Sequence, residues 1–81
     1  MQPGTKYRIV SRHNGMTVDG FILDNLYFTE VDSAAMQIGE ITDGKLRHRN
    51  PVKADGSEYV LKVDGLTLID DRGDVFDLIA Q

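Results

Sequence analysis

Lys45, Arg47 and Arg49 alternate with Leu46 and His48. In an extended segment that period puts the three cations on one face, about 7 Å apart, and Leu46 and His48 on the other. A row of this spacing matches a polyanion backbone, and Lys53 is placed to extend it. No aromatic residue is interleaved with the cations, so the stacking platform usual for single-stranded nucleic acid is missing. Charge on a strand also serves as a solvated face, or keeps an edge strand from pairing with another sheet. That plainer role is the favoured reading, with anion binding as the alternative. The candidate binding residues are accordingly Lys45, Arg47, His48, Arg49 and Lys53.

Other chemistries are harder to build. Asp70, Asp71, Asp74 and Asp77 offer carboxylates that a divalent cation would accept, but their spacing fits no known metal loop, and Asp is an expected turn residue here. Arg72-Gly73-Asp74 spells the tripeptide that integrins recognise, and a tight turn with Gly at its left-handed position explains it fully. His13 and His48 have no Cys, His or Glu at ligand spacing, and Ser11, Ser33 and Ser57 lie in no nucleophile motif. The chain has no cysteine, which removes thiolate, disulfide and zinc-thiolate chemistry. Its glycines are spread singly, so there is no phosphate-cradling loop. The expectation is a non-enzyme with no cofactor, no metal site and no identifiable small-molecule substrate.

The elements that must carry these residues are announced by turns. Five of the eight glycines follow Asp or Asn: Asn14-Gly15, Asp19-Gly20, Asp43-Gly44, Asp55-Gly56 and Asp64-Gly65. Such pairs between alternating apolar residues are the strongest short-range hairpin signal, because the turn needs backbone angles that Gly, Asn and Asp tolerate. Lys6 to Arg12 alternates as a half-buried strand, His13-Asn14-Gly15 turns it, and residues 16–23 return. Asp19-Gly20 reads as a bulge within that return strand, since a full turn would leave very short pieces on either side. Asp24-Asn25 leads into Leu26 to Val31, completing a three-stranded meander.

Residues 32–41 are ambiguous, because Asp32-Ser33 suits a helix cap while Met36 and Ile38 alternate as in a strand. We read a loop or single helical turn over 32–35, then a strand from Met36 to Thr42. Asp43-Gly44 reverses it into Lys45 to Arg49, which Asn50-Pro51 ends. Residues 50–57 form the longest connection and the expected mobile loop. Glu58 to Val63, a turn at Asp64-Gly65, Leu66 to Asp70, a turn at 71–74 and a strand from Val75 to Ala80 follow, the last with a helical turn as its alternative. The prediction is one all-β domain over 1–81, or mostly β with one short helix. It is a small antiparallel meander of 6–8 short strands, closing as a barrel or two-layer sandwich.

Lys6-Tyr7-Arg8-Ile9-Val10-Ser11-Arg12-His13-Asn14-Gly15 resembles the opening strand and turn of a ricin-type lectin repeat. The resemblance covers this stretch alone. The chain has no Trp, hence no Gln-x-Trp signature, and no sugar-binding residue is carried over.

Charge narrows the partners. The net charge is −4, which argues against a general nucleic-acid coat while leaving room for a local basic face. Residues 55–81 hold seven acids against Lys62 and Arg72; residues 1–54 hold seven bases and six acids. Such asymmetry suits electrostatically steered encounter or head-to-tail self-association. Phe21-Ile22-Leu23 and Val75 to Ile79 are apolar on both faces, which suggests outer surface covered by another molecule. The N-terminus reads as no secretory signal and no segment reaches membrane-spanning length, so the expected setting is cytoplasmic. The expected role is a small binding module engaging a protein partner, or a second copy, through a sheet face or edge. Nucleic-acid binding through 45–53 is the alternative, and a structural subunit of a larger assembly such as a virus particle is the third.

Overall fold

A computed structural model describes residues 1–48 and 53–81. They form eight antiparallel strands: β1 (Tyr7–Ser11), β2 (Thr17–Leu23), β3 (Leu26–Val31), β4 (Ala34–Thr42), β5 (Lys45–His48), β6 (Tyr59–Asp64), β7 (Thr67–Ile69) and β8 (Val75–Ala80). Each strand pairs with its neighbours in sequence, and β8 pairs back onto β1, so the meander closes into a barrel rather than a sandwich. No helix occurs among the described residues, and therefore none long and apolar enough to cross a membrane. Both residues that could have begun a helix do something else.

Asp32 and Ser33 have φ of 50° and 66°, and Val31 pairs directly with Ala34. They are the two central residues of a tight hairpin turn whose twist matches the strands it joins. The expected loop or helical turn over 32–35 is thus corrected: β4 begins at Ala34, two residues earlier than Met36. Asp24-Asn25 (φ 53° and 63°) and Asp43-Gly44 (φ 54° and 72°) make the same kind of turn, as expected. The next hairpin is displaced by one residue. Asp64 pairs with Thr67, so the turn residues are Gly65 and Leu66, with the positive φ on Gly65. Asn14-Gly15 lies in a wider turn, in which the Ser11 amide donates to the Met16 carbonyl at 2.8 Å and Asn14 Oδ1 accepts from the Met16 amide at 2.9 Å.

Two bulges bend the sheet to closure. Arg8 pairs with Phe21 and Ile9 with Val18, which leaves Asp19 and Gly20 as extra residues in β2. Tyr27 pairs with Gly39 and Phe28 with Gln37, which leaves Ile38 extra in β4. Extra residues of this kind increase local twist and turn barrel corners. The predicted bulge is at its predicted place; the second carries no Asp-Gly signal.

The core is the barrel interior. Tyr7, Ile9, Ile22, Tyr27, Leu46, Leu68 and Leu78 pack together there, with Val18, Ile38, Ile41, Leu61, Val63 and Phe76 against them. The N-terminal segment lies against one end, where the Gln2 amide donates to the Tyr7 hydroxyl at 2.8 Å and the Gly4 amide to Asp24 Oδ1 at 2.7 Å. Outside, Phe21 stacks on Phe28 with ring centroids 5.2 Å apart, and Lys6 Nζ sits 4.2 Å above the Phe21 ring. Part of the outward apolar surface is therefore covered by the chain itself.

Closure also changes the meaning of the basic strand. β5 pairs with β4 on one side and β6 on the other, so Lys45 and Arg47 protect no edge. Pairing of β3 with β2 stops at Phe28, and β4 meets β5 only from Gly39 onward among the described residues. The exposed end of the β3–β4 hairpin, 29–37, is where strand sides lack a described neighbour.

The seam where the barrel closes is clipped by one pair. The Arg12 amide donates to the Val75 carbonyl at 3.0 Å, and its guanidinium grips Asp77 with Nη2–Oδ1 at 2.6 Å and Nε–Oδ2 at 3.2 Å. The bond to Arg12, then its charge, holds the Asp77 carboxyl below the ordinary carboxylate range. A lowered folded-state pKa means the contribution is present above the unfolded value, about 3.9, and is lost as pH falls through the folded one. Asp55, held low by its hydrogen bonds from Ser57, titrates in the same direction. Thermal melts should therefore show Asp77→Asn less stable than the parent at pH 7 and the two converging below pH 4. A gap that persists at pH 2 would exclude the carboxylate pair as its source.

Candidate binding surface

Strand alternation places the candidate residues of β5, Lys45, Arg47 and His48. Leu46 is 1% exposed and His48 half-buried, so Lys45 and Arg47 stand on the outer face of the barrel. On β6, Lys62 is the direct ladder partner of Lys45, and exposed Val60 the partner of Arg47. Like charges directly opposite in a ladder destabilise it. Among the described residues no ion pair involves Lys45, Arg47 or Lys62.

The N-terminal basic group is spent differently. Lys6 Nζ lies 3.7 Å from Glu30, Arg8 Nη1 donates to the Gly20 carbonyl at 3.3 Å, and Arg12 holds Asp77. Lys6, Arg8 and Arg12 are thus engaged within the fold, whereas Lys45 and Arg47 stand with Lys62 on the β5–β6 face. Acids border that face. Glu40 is the β4 ladder partner of Arg47, and the turns at Asp43 and Asp64 stand at one end of β5 and β6. The patch is compact and bounded.

Two predicted members meet the Tyr59 ring. Lys53 Nζ lies 4.9 Å from the centroid of the Tyr59 ring, a cation–π contact. His48 faces inward, as its period demanded, where its ring stacks on Tyr59 at 5.2 Å and meets Tyr27 edge-on at 5.3 Å. Arg49 and the Asn50-Pro51 strand end fall outside the described residues, as does part of the 50–57 connection. The described part is ordered by a turn: the Gly56 amide donates to the Lys53 carbonyl at 2.9 Å, and Asp55 Oδ1 accepts from Ser57 N and Oγ at 2.9 and 2.6 Å.

Sequence reasoning missed Lys62, Tyr27 and Tyr59. Lys62 alternates in its own strand with Val60, but its position opposite Lys45 depends on a register set across a long connection. Tyr27, Tyr59 and His48 come from three strands and meet only on closure. Gly39 makes their approach possible, since a Cβ there would lie 2.5 Å from the Arg47 carbonyl oxygen and 2.8 Å from His48 Cβ. The Tyr27 hydroxyl donates to the Asp19 carbonyl at 3.3 Å. Burial, and secondarily the Asp19 charge, raises its pKa above the ordinary phenol value.

The remaining motifs resolve into turn chemistry. Asp70 Oδ1 accepts from the amides of Arg72 and Asp74, both at 2.9 Å, and the Asp70 amide donates to the Asp74 carbonyl at 3.0 Å. Arg72 Nη2 lies 3.7 Å from both Asp70 and Asp74 carboxylates. No cluster of three or more His, Cys, Asp or Glu suited to a metal is present among the described residues. His13 is exposed in the β1–β2 turn. The stretch resembling a lectin repeat is β1 with its turn, set in a continuous eight-stranded barrel. Comparison of the chain with known protein families, curated proteins and solved structures finds no match.

Proposed function

We propose that this protein is a non-catalytic cytoplasmic binding module whose β5–β6 face takes an acidic surface of a protein partner. The observation that carries the reading is the Lys45–Lys62 ladder pair, with Arg47 beside it and, among the described residues, no ion pair made by any of the three. Folding pays for this like-charge contact, and an incoming carboxylate would relieve it. Exposed Val60 lies within the same patch and supplies an apolar contact. The patch is short and flanked by Glu40, Asp43 and Asp64. Those acids favour a localised cluster of carboxylates over a long phosphate backbone, which needs a continuous basic track.

Titration of a synthetic octaglutamate peptide into the protein at low salt tests this, with a single-stranded DNA oligonucleotide as comparator. The peptide should bind saturably, weaken as salt is raised, and fail to bind the triple variant Lys45→Gln/Arg47→Gln/Lys62→Gln. Lys62→Glu should also lose the peptide, yet stabilise the fold by about 0.5 kcal/mol, because an opposite-charge pair replaces a repulsive one. Absence of binding at low salt would overturn the proposal. Tighter binding of the oligonucleotide through the same three residues would replace it with the nucleic-acid reading.

A further inference from the structure

We infer that the barrel interior is a binding site for a small uncharged aromatic molecule of one or two rings. A cavity of ≈ 240 Å³, open to solvent on one side, is lined by inward-facing residues of the barrel. Tyr27, His48 and Phe76 line it together with Ile9, Val18, Leu46, Leu61 and Leu68, and Phe76 is the ladder neighbour of Leu68. Protein interiors are close-packed, so an apolar recess of this size is a place where a ligand can add contacts to the side chains around it. An apolar cavity of about 150 Å³ is enough to hold benzene, and this one has room for a second ring.

Its lining selects the ligand class. Ile9, Leu46 and Leu68 are 3%, 1% and 1% exposed, so these aliphatic side chains are held by the core and not free to collapse inward. Polar side-chain atoms enter the wall only on His48 and Tyr27. The Tyr27 hydroxyl already donates to the Asp19 carbonyl, and the two rings are fixed against each other and Tyr59. Ordered water needs two to four polar partners, and among the described residues only these two side chains offer any. Among the described residues no Asp, Glu, Lys or Arg lines the cavity, so a charged ligand would meet no counter-charge from them and would be desolvated at a cost. A flat ring can meet Tyr27, His48 or Phe76 by edge or offset stacking and pack against the aliphatic side chains among them. This site is separate from the β5–β6 face and stands or falls independently of it.

Indole is the probe, titrated into the intact protein and followed by methyl-region NMR. Saturable shifts are expected at Ile9, Val18, Leu46, Leu61 and Leu68, with outer-face Val60 and Ile79 unmoved. Cyclohexanol should bind at least tenfold more weakly, and benzoate not at all. Val18→Phe and Leu61→Phe, which fill the space from different strands, should each weaken indole tenfold or more; two variants guard against one failing to fold. Unsaturable or absent shifts up to millimolar indole would overturn the site, as would undiminished binding in a folded filled variant. Equal binding of cyclohexanol or benzoate would overturn the ligand class.

Discussion

Gly20→Ala is expected to destabilise the protein by about 3 kcal/mol or more, lowering its melting temperature by roughly 12–24 °C. Two costs combine at this position. Its φ of +99° lies where L side chains rarely go, and a Cβ would stand 2.3 Å from the Phe28 carbonyl oxygen and 3.0 Å from Tyr27 Cε1. The first atom is backbone in a neighbouring strand, so relief requires β2 and β3 to separate at the bulge that bends the barrel. The two costs can be measured apart. Gly44 has φ of +72° and nothing within 4 Å of a Cβ, so Gly44→Ala should show only the backbone cost, about 1 kcal/mol. Gly39 has no positive φ, but a Cβ there would lie 2.5 Å from the Arg47 carbonyl oxygen, so Gly39→Ala should show the steric cost alone. Denaturant unfolding of the three variants checks the order, with Gly20→Ala the least stable. A Gly20→Ala protein no less stable than Gly44→Ala would mean that β2 and β3 are not held together as described.

Ile22→Ala is the other large effect, with an expected loss of about 3–4 kcal/mol. Ile22 is fully buried and pairs across the ladder with Tyr7, itself in the core. Removing its branched side chain forfeits the transfer free energy and leaves a void that surrounding strands cannot fill, because every one of them is tied on both sides in a closed barrel. An 81-residue domain has roughly 4–12 kcal/mol of total stability, so this one substitution takes a large share. Ile79→Ala gives the contrast: Ile79 is also apolar and also in a strand, but points outward at 48% exposure. It should cost well under 1 kcal/mol. Equilibrium unfolding of the pair reads the difference directly, and equal losses would contradict the inward and outward assignment of β2 and β8.

How legible each feature was follows the distance over which it is decided. Asp24-Asn25 and Asp43-Gly44 were readable because a two-residue turn is specified by its own residues. Asp32-Ser33 makes the same turn and was misread, since Asp and Ser accept hydrogen bonds equally well as helix caps, and Ser at φ +66° is not its usual state. Asp19-Gly20 was readable as a bulge because the flanking strand pieces were too short to stand alone. The Ile38 bulge was hidden: a regular strand and a bulged one look alike when no glycine marks the extra residue. Gly39 gave only a weak hint, its purpose being a steric one set by Arg47 and His48.

The basic face shows the same division. Alternation in the chain was enough to send Lys45 and Arg47 one way and Leu46 and His48 the other. It could not place Lys53, whose ammonium turns to the Tyr59 ring, nor choose between an edge and an interior strand for β5.

The sequence by itself determined the local terms: extended strands, the places where they reverse, and which side chains share a face. These rest on φ preferences and a period of two, which involve only neighbouring residues. The tertiary structure decided which strands meet across residues 49–58 and where β8 returns to β1. Those choices put Lys62 against Lys45, brought Tyr27, His48 and Tyr59 into contact, and left an apolar space inside the barrel. Register across a long connection is selected by the packing of the whole closed sheet, and no short stretch of chain contains that energy.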